Sequence, residues 1–297
     1  MDHSSPPAVR TLVVATDLSP AAEVAVDQAA LLAKRWDAEL TLLHVFNDGV
    51  WATLKAIYAT ERWMGSDPIL VTRNRLSQQV QELTARHGIR ARGETRTGPA
   101  AGAIAAFCRE QNAQLLVVGE HGGDWIGDAV VGGTALKVLQ RAELPVLLVR
   151  RPAGADPAGI LIATDFSENA TRAAQLSMAW FPRAGHQLVH AYAVAFEGRM
   201  RLAGAAGDDI ERYRQDEHAR AEQRMHEQLL TLGAAPALGS MLAHGSPAAV
   251  LIRQAEHANA DLIVIGKHGG TALDERLLGS VTEHVLYQAG CNVLLVP

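Results

Sequence analysis

Short runs of β-branched residues and leucine alternate along the chain with longer segments whose apolar residues recur every three or four positions. TLVVA at 11–15, LLVVG at 115–119 and VLLV at 146–149 show no polar alternation. That is the pattern of strands covered on both faces. In the first half it predicts strands at Thr11–Thr16, Glu39–Phe46, Ile89–Arg96, Leu115–Gly119 and Val146–Val149. Ser19-Pro20, Ser167 and Ser246-Pro247 each offer a hydroxyl acceptor where a helix should open, two of them followed by the proline favoured at the first helical position. The polar segment Asp208–Leu232 sets Ile210, Tyr213, Met225 and Leu229 at helical spacing, with Asp208/Arg212 and Asp216/Arg220 four apart and the acid first. Alternating strand and helix predicts a parallel, doubly wound α/β sheet with right-handed crossovers.

The pattern is written twice. VVATDLS at Val13–Ser19 falls on LIATDFS at Leu161–Ser167, and AQLLVVGEHGG at Ala113–Gly123 falls on ADLIVIGKHGG at Ala260–Gly270, offsets of 148 and 147 residues. PVLLV at Pro145–Val149 falls on NVLLV at Asn292–Val296. A near-constant offset over scattered blocks predicts two tandem domains, 1–150 and 151–297, joined by the Pro/Gly-rich RRPAGADPAG at Arg150–Gly159. In sheets of this kind ligands sit beyond the carboxyl ends of the strands. That places Asp17, Asp165 and the loops after Gly119 and Gly266 at one rim per copy.

Composition narrows the function classes. Of the 297 residues 48% are apolar and 20% charged, a globular balance. Lys+Arg 27 against Asp+Glu 32 leaves −5, without the basic field that nucleic acid or an anionic membrane surface requires. The longest uncharged stretch, Gln228–Ile252, is broken by glycines and prolines and cannot form one spanning helix. The start, MDHSSPPAVR before TLVVA, lacks the apolar region of a secretory signal. Cys108 and Cys291 are too few for a disulfide framework and are expected to be buried and inert. A cytoplasmic protein is the expectation.

The chemistry concentrates after the fourth strand of the second copy. Gly266-Lys267-His268-Gly269 is followed by nine residues and then Gly279-Ser280, with Ser280-Val281-Thr282-Glu283 spaced as a capping box. A helix N-terminus preceded by glycines is an anion site. Ser280 is then torn between capping the helix and donating to a phosphate oxygen. Glycine-rich strand-to-helix loops also occur without any ligand, so local physics leaves both readings open.

The spacing G-x2-G-x9-G-[S/T], with the first-strand Asp in ATDLS and ATDFS, Leu43-His44-Val45 and the terminal VLLV strands, resembles the universal stress protein family over Arg10–Val149 and Gly159–Val296. The resemblance implies a Rossmann-like pair of five-stranded, mostly parallel sheets whose last strands meet across a pseudo-twofold as an intrachain pseudo-dimer. Whether two whole chains form a further homodimer stays open. It implies a non-catalytic sensor or regulator of stress response that binds ATP or another adenine nucleotide. Asp165 would lie near ribose and phosphates, Gly266 and Gly269 under the nucleotide, and Gly279, Ser280 and Val281 would offer N–H groups to phosphates. Ala191 departs from the valine usual in the family and loosens packing on the base. Two alternatives stand beside this reading. One is a weak ATPase in which Asp165 holds Mg²⁺ and a water; the other is an interaction protein using the aromatic segment Trp51, Tyr58, Trp63 and Met64.

The first copy departs further. Gly119, Gly122 and Gly132 keep the spacing, but Gly133 replaces Ser/Thr, and Thr134 followed by Lys137 cannot complete a capping box. Glu120, Asp124 and Asp128 sum to −3 where the second loop, with Lys267, Asp274, Glu275 and Arg276, sums to zero. Each carboxylate–phosphate pair at close range costs roughly 1 kcal/mol even in water. The expectation is nucleotide in the second copy only. His44 and His121 with Asp17, Glu120 and Asp124 form a conceivable zinc set, but His121 and His268 share one repeat position, which favours a fold or nucleotide role and no metal. P-loop, G-x-G-x-x-G and G-x-S-x-G signatures are absent.

Overall fold

The central strands need cover on both faces, and the helices supply it. The computed structural model describes residues 9–46, 68–121, 131–152, 154–193, 202–204, 206–233, 238–269 and 277–297. Contacts divide the chain into two units, 1–155 with Asn292–Leu295 and Pro297, and Asp156–Cys291 with Val296. The first unit runs β1 (Thr11–Ala15), α1 (Pro20–Trp36), β2 (Glu39–Phe46), α2 (Pro68–His87), β3 (Arg90–Thr97), α3 (Ala100–Glu110), β4 (Leu115–Gly119), α4 (Gly133–Arg141) and β5 (Val146–Val149). The second runs β6 (Gly159–Ala163), α5 (Glu168–Trp180), β7 (Gly185–Tyr192), α6 (Gly207–Thr231), β8 (Leu238–His244), α7 (Pro247–His257), β9 (Leu262–Gly266) and α8 (Ser280–Gln288), followed by β10 (Asn292–Val296).

Within the first unit the order is β3-β2-β1-β4-β5, all parallel, with β1 central enough that Leu12, Val13 and Val14 are fully buried. The second repeats it as β8-β7-β6-β9. The exception to parallel pairing is β10, which runs antiparallel to β5 with Val293 opposite Leu148 and Leu295 opposite Val146. Strand order from the centre outward tracks composition: LLVVG and LIVIG lie inside, while RARGETRT and LGSMLAH form the outer strands β3 and β8. Charged side chains on such a strand also discourage edge-to-edge pairing.

The expected strands agree with the structure to within a residue; β3 starts at Arg90 rather than Ile89 and β1 stops at Ala15. Helix α6 buries Ile210, Ala221, Met225 and Gln228 and leaves Tyr213 on the surface. The polar residue Gln228 takes an inward position because it has hydrogen-bond partners there. The ion pairs on α6 also differ from expectation. Arg212 reaches Asp209 at 3.2 Å and Arg220 reaches Glu217 at 2.6 Å, both three apart rather than four. An acid one residue closer lies on the same helical face, so the nearer partner wins. Cys108 and Cys291 are buried, and burial pushes the Cys108 thiol up to about 12. Among the described residues no helix is long and apolar enough to cross a membrane.

The serine caps are not equivalent. Ser19 and Ser167 each accept the N–H of the residue three further on, Ala22 and Ala170, at 3.2 Å. Ser246 occupies the same kind of position ahead of Pro247, yet its side chain makes no cap bond. Ser167→Ala is therefore expected to lower unfolding free energy by about 1 kcal/mol, whereas Ser246→Ala costs less than about 0.5 kcal/mol. Urea denaturation of both variants checks this; equal losses would mean the hydroxyl geometry does not govern the cap.

Candidate functional site

The turn after the first strand of each copy has one construction. Thr164 Oγ1 accepts the Phe166 N–H at 2.9 Å and Asp165 Oδ1 accepts the Ser167 N–H at 3.0 Å. Thr16, Leu18, Asp17 and Ser19 repeat both bonds at 3.0 Å. Leu18 and Phe166 sit at φ 64° and 65°, left-handed backbone that costs a non-glycine residue about 1–2 kcal/mol. The two side-chain acceptors hold that conformation, and Asp165 is thereby presented beyond the end of β6. From the second strand, His190 Nδ1 lies 2.8 Å from the Thr164 carbonyl, as His44 Nδ1 lies 2.9 Å from that of Thr16. A ring nitrogen this close to a carbonyl oxygen is the donor.

The glycine loop closes the other side. Thr282 Oγ1 donates to the Gly266 carbonyl at 2.9 Å, tying the first turn of α8 to the end of β9. The Gly279 N–H donates to the Lys267 carbonyl at 3.0 Å, and the Lys267 N–H to the Val296 carbonyl at 2.7 Å. Gly269 faces the carboxylate of Asp165 so closely that a Cβ there would stand 2.7 Å from Oδ2. That contact, rather than any unusual φ, is what a side chain at 269 would have to displace.

Two expectations about α8 are corrected. Its cap is Gly279, at φ −62° and ψ 145° with no side-chain cap bond, and Ser280 is the first helical residue. Glu283 then donates its N–H to the Gly279 carbonyl at 2.8 Å, so it is the fourth helical residue and no capping box forms. Ser280 is not torn between two roles. Gly279, by contrast, has its N–H committed to Lys267, which leaves Ser280, Val281 and Thr282 as the N–H groups ahead of the helical ladder. The first copy matches: Gly132 caps α4, donates to the Glu120 carbonyl at 2.8 Å, and puts Thr134 at the second helical position rather than at a cap.

Asp165, Gly266, Gly269, Gly279, Ser280 and Val281 all line one cleft of about 520 Å³ in the second unit. Val189, Ala191, Leu251 and Ile265 give it apolar walls, and Thr164, His190, His268 and Thr282 add polar groups. Pro247 and Leu251 bring in the start of α7, which nothing in the spacing of the glycine loop announced. Thr164 and His190 did carry a signal: each sits in a block repeated between the copies. Helix α6 braces the floor, where Gln228 accepts from Thr164 Oγ1 at 2.8 Å and donates to Thr171 at 3.0 Å, and Arg224 lies 4.7 Å from the Phe166 ring.

In the first copy the charge tally changes. Glu120 is ion-paired with Arg150, whose side chain is only 7% exposed, so it does not act as a free carboxylate at the rim. Asp124, Asp128 and Gly122 lie outside the described residues, as do Asp274–Arg276 and the segment with Trp51, Tyr58, Trp63 and Met64. His44 has its Nδ1 against a carbonyl, and among the described residues no three His, Cys, Asp or Glu side chains gather as a metal set.

The sequence model of the universal stress protein family, matched at residues 8–150, is matched again at 159–297. The chain belongs to that family. A universal stress protein of Mycolicibacterium smegmatis is 26% identical over 303 residues, spanning 96% of each chain. The universal stress protein YxiE of Bacillus subtilis is 31% identical over 144 residues, 47% of this chain and 97% of its own length. Tandem and single-copy relatives thus both align. The crystal structure of a universal stress protein from Archaeoglobus fulgidus covers 96% of this chain and 97% of that one at TM-score 0.64 and 17% identity, a likeness of fold.

Two predictions come from this geometry. Gly269→Ala must displace the Asp165 carboxylate, with an expected loss of about 1–3 kcal/mol in stability. In an Asp165→Ala background the same change should cost much less, a coupling of at least about 1 kcal/mol in a double-mutant cycle; additive losses would show that the contact is not the constraint. The second concerns pH. Burial lowers the pKa of His44 and His190 from 6.5, opposed in part by the Thr16 and Thr164 carbonyls. The unfolded chain therefore binds more protons, and stability present above pH 6.5 is lost as pH falls through the interval down to the folded values. His190→Asn, which keeps an N–H for Thr164, should flatten that decline in unfolding measurements at neutral and mildly acid pH.

Proposed function

We propose that the second unit binds an adenine nucleotide, ATP foremost, in the 520 Å³ cleft and acts as a non-catalytic sensor or regulator in stress response. The observation that carries the reading is the meeting of an exposed helix N-terminus with a glycine face and an apolar chamber. The N–H groups of Ser280 and Val281, preceding the first helical hydrogen bond, suit phosphate oxygens. Gly266 and Gly269 let a ligand approach backbone, and Val189, Ala191, Leu251 and Ile265 suit a base. The volume falls within the range of about 300–1,000 Å³ usual for small-molecule sites.

Asp165 is the single carboxylate lining the cleft among the described residues. A cation held there would take most of its ligands from phosphates and water, which suits Mg²⁺. Holding rather than turning over nucleotide is favoured because the polar groups are already tied: Asp165 Oδ1 by the Ser167 N–H, and His190 by the Thr164 carbonyl. Steady release of ADP that disappears in Asp165→Asn would replace this reading with that of a weak ATPase.

The test is calorimetric titration with ATP and ADP, joined to mass spectrometry of nucleotide released on denaturation. One nucleotide per chain is expected. Ser280→Ala should weaken binding by about 1.5–3 kcal/mol, roughly 10- to 150-fold, through a lost charge-assisted hydrogen bond. Because Ser280 does not cap α8, its melting temperature should not change. Gly133→Ser should leave the stoichiometry at one; a second nucleotide would show that the lone hydroxyl had been limiting the first unit.

A further inference from the structure

We propose that the first unit carries a separate ligand site, at the carboxyl ends of β2 and β3, for a small organic carboxylate. A cavity of about 220 Å³ opens there against α2. Its charged lining consists of Arg73 and Arg96, with no carboxylate side chain among the lining residues described. Three hydroxyls, Thr72, Thr95 and Thr97, face the same space, and Phe46 and Ile69 form its apolar side.

The two arginines are held differently. Arg96 is fixed by Glu94 at 3.1 Å and Glu110 at 3.7 Å, with its guanidinium 4.7 Å from the centre of the Phe107 ring. Much of its charge is therefore answered inside the protein. Arg73 donates its Nε–H to Thr95 Oγ1 at 3.1 Å, which orients the guanidinium and leaves both terminal nitrogens outside that bond. Arg73 is then the cation that decides, and Thr95, having accepted from it, retains a hydroxyl proton to donate. A planar fork of donors beside hydroxyls matches an oxyanion.

Among the described residues the second unit builds the same corner from aromatic rings. Phe46 pairs with Thr97 across β2 and β3, and Tyr192 pairs with His244 across β7 and β8. The next glycine closes each pair alike, Gly98 N–H to Phe46 at 3.1 Å and Gly245 N–H to Tyr192 at 2.9 Å. In the second unit the Tyr192 ring meets His218 and His244 edge-on, with centroids 5.3 and 5.5 Å apart. In the first unit the short Thr97 replaces an imidazole and space remains. That space equals about seven waters at ~30 Å³ each, more than an inorganic ion needs and less than a nucleotide. The apolar side selects an oxyanion with a hydrocarbon body over bare phosphate.

Benzoate, benzamide and inorganic phosphate, titrated calorimetrically into the full chain at constant ionic strength without nucleotide, test this. Benzoate should bind at millimolar concentration with one site per chain. Its uncharged isostere benzamide, and phosphate, should bind at least about tenfold more weakly. Arg73→Gln should weaken benzoate at least about tenfold without altering the melting temperature or the response to ATP. Equal binding of benzamide, preference for phosphate, no benzoate binding, or benzoate binding indifferent to Arg73→Gln would each overturn the assignment.

Discussion

Everything polar in this fold is arranged by one constraint, the burial of uncharged central strands on both faces. Val13, Val14 and Val117 in the first unit, and Ile162, Ile263 and Val264 in the second, have no exposed surface. A strand of that kind can present functional groups only where it ends. Helices on both faces also require the chain to turn sharply at each carboxyl end. The backbone groups freed by those turns need partners, and short polar side chains supply them. The Thr-Asp-x-Ser turn meets that need and at the same time aims a carboxylate at the rim.

That double use ties the described groups at the rim of the second unit to one another. Asp165 is held by the Ser167 N–H, by the left-handed backbone of Phe166 and by close approach to Gly269. Thr164 is held in turn by Gln228 of α6, and Gly266 by Thr282 of α8. A ligand entering the cleft meets groups already oriented, so little side-chain freedom remains to be lost on binding. Helix α6 takes part through two polar contacts that its apolar spacing does not reveal.

What could be read from the sequence follows from which forces are local. Leu115–Gly119 is legible to the residue because LLVVG is an unbroken apolar run too short for a buried helix, and Glu39–Phe46 because ELTLLHVF keeps an apolar core of strand length. The glycine loop was legible from its spacing, and all six expected residues line the one cleft. Ser280 was misread as a cap because a capping box is a pattern of types, whereas the start of α8 is decided by the Gly279 N–H reaching Lys267. The reach of Arg150 to Glu120, and the entry of Pro247 and Leu251 into the cleft wall, are set by tertiary packing and leave no local trace.

The difference between the copies is chemical more than spatial. Glu120 and Lys267 hold their loops by the same carbonyl bond to Gly132 and Gly279, so the two backbones are built alike at that point. The charge contrast between the loops shrinks once Arg150 answers Glu120. Among the described residues steric exclusion does not explain Gly133 either, since a Cβ there would meet none of them within 4 Å. A serine would fit, and the fold does not forbid it. Ser280, for its part, makes no cap bond at the start of α8 among the described residues. What separates Ser280 from Gly133 is thus a hydroxyl at the mouth of the cleft that takes no part in capping α8.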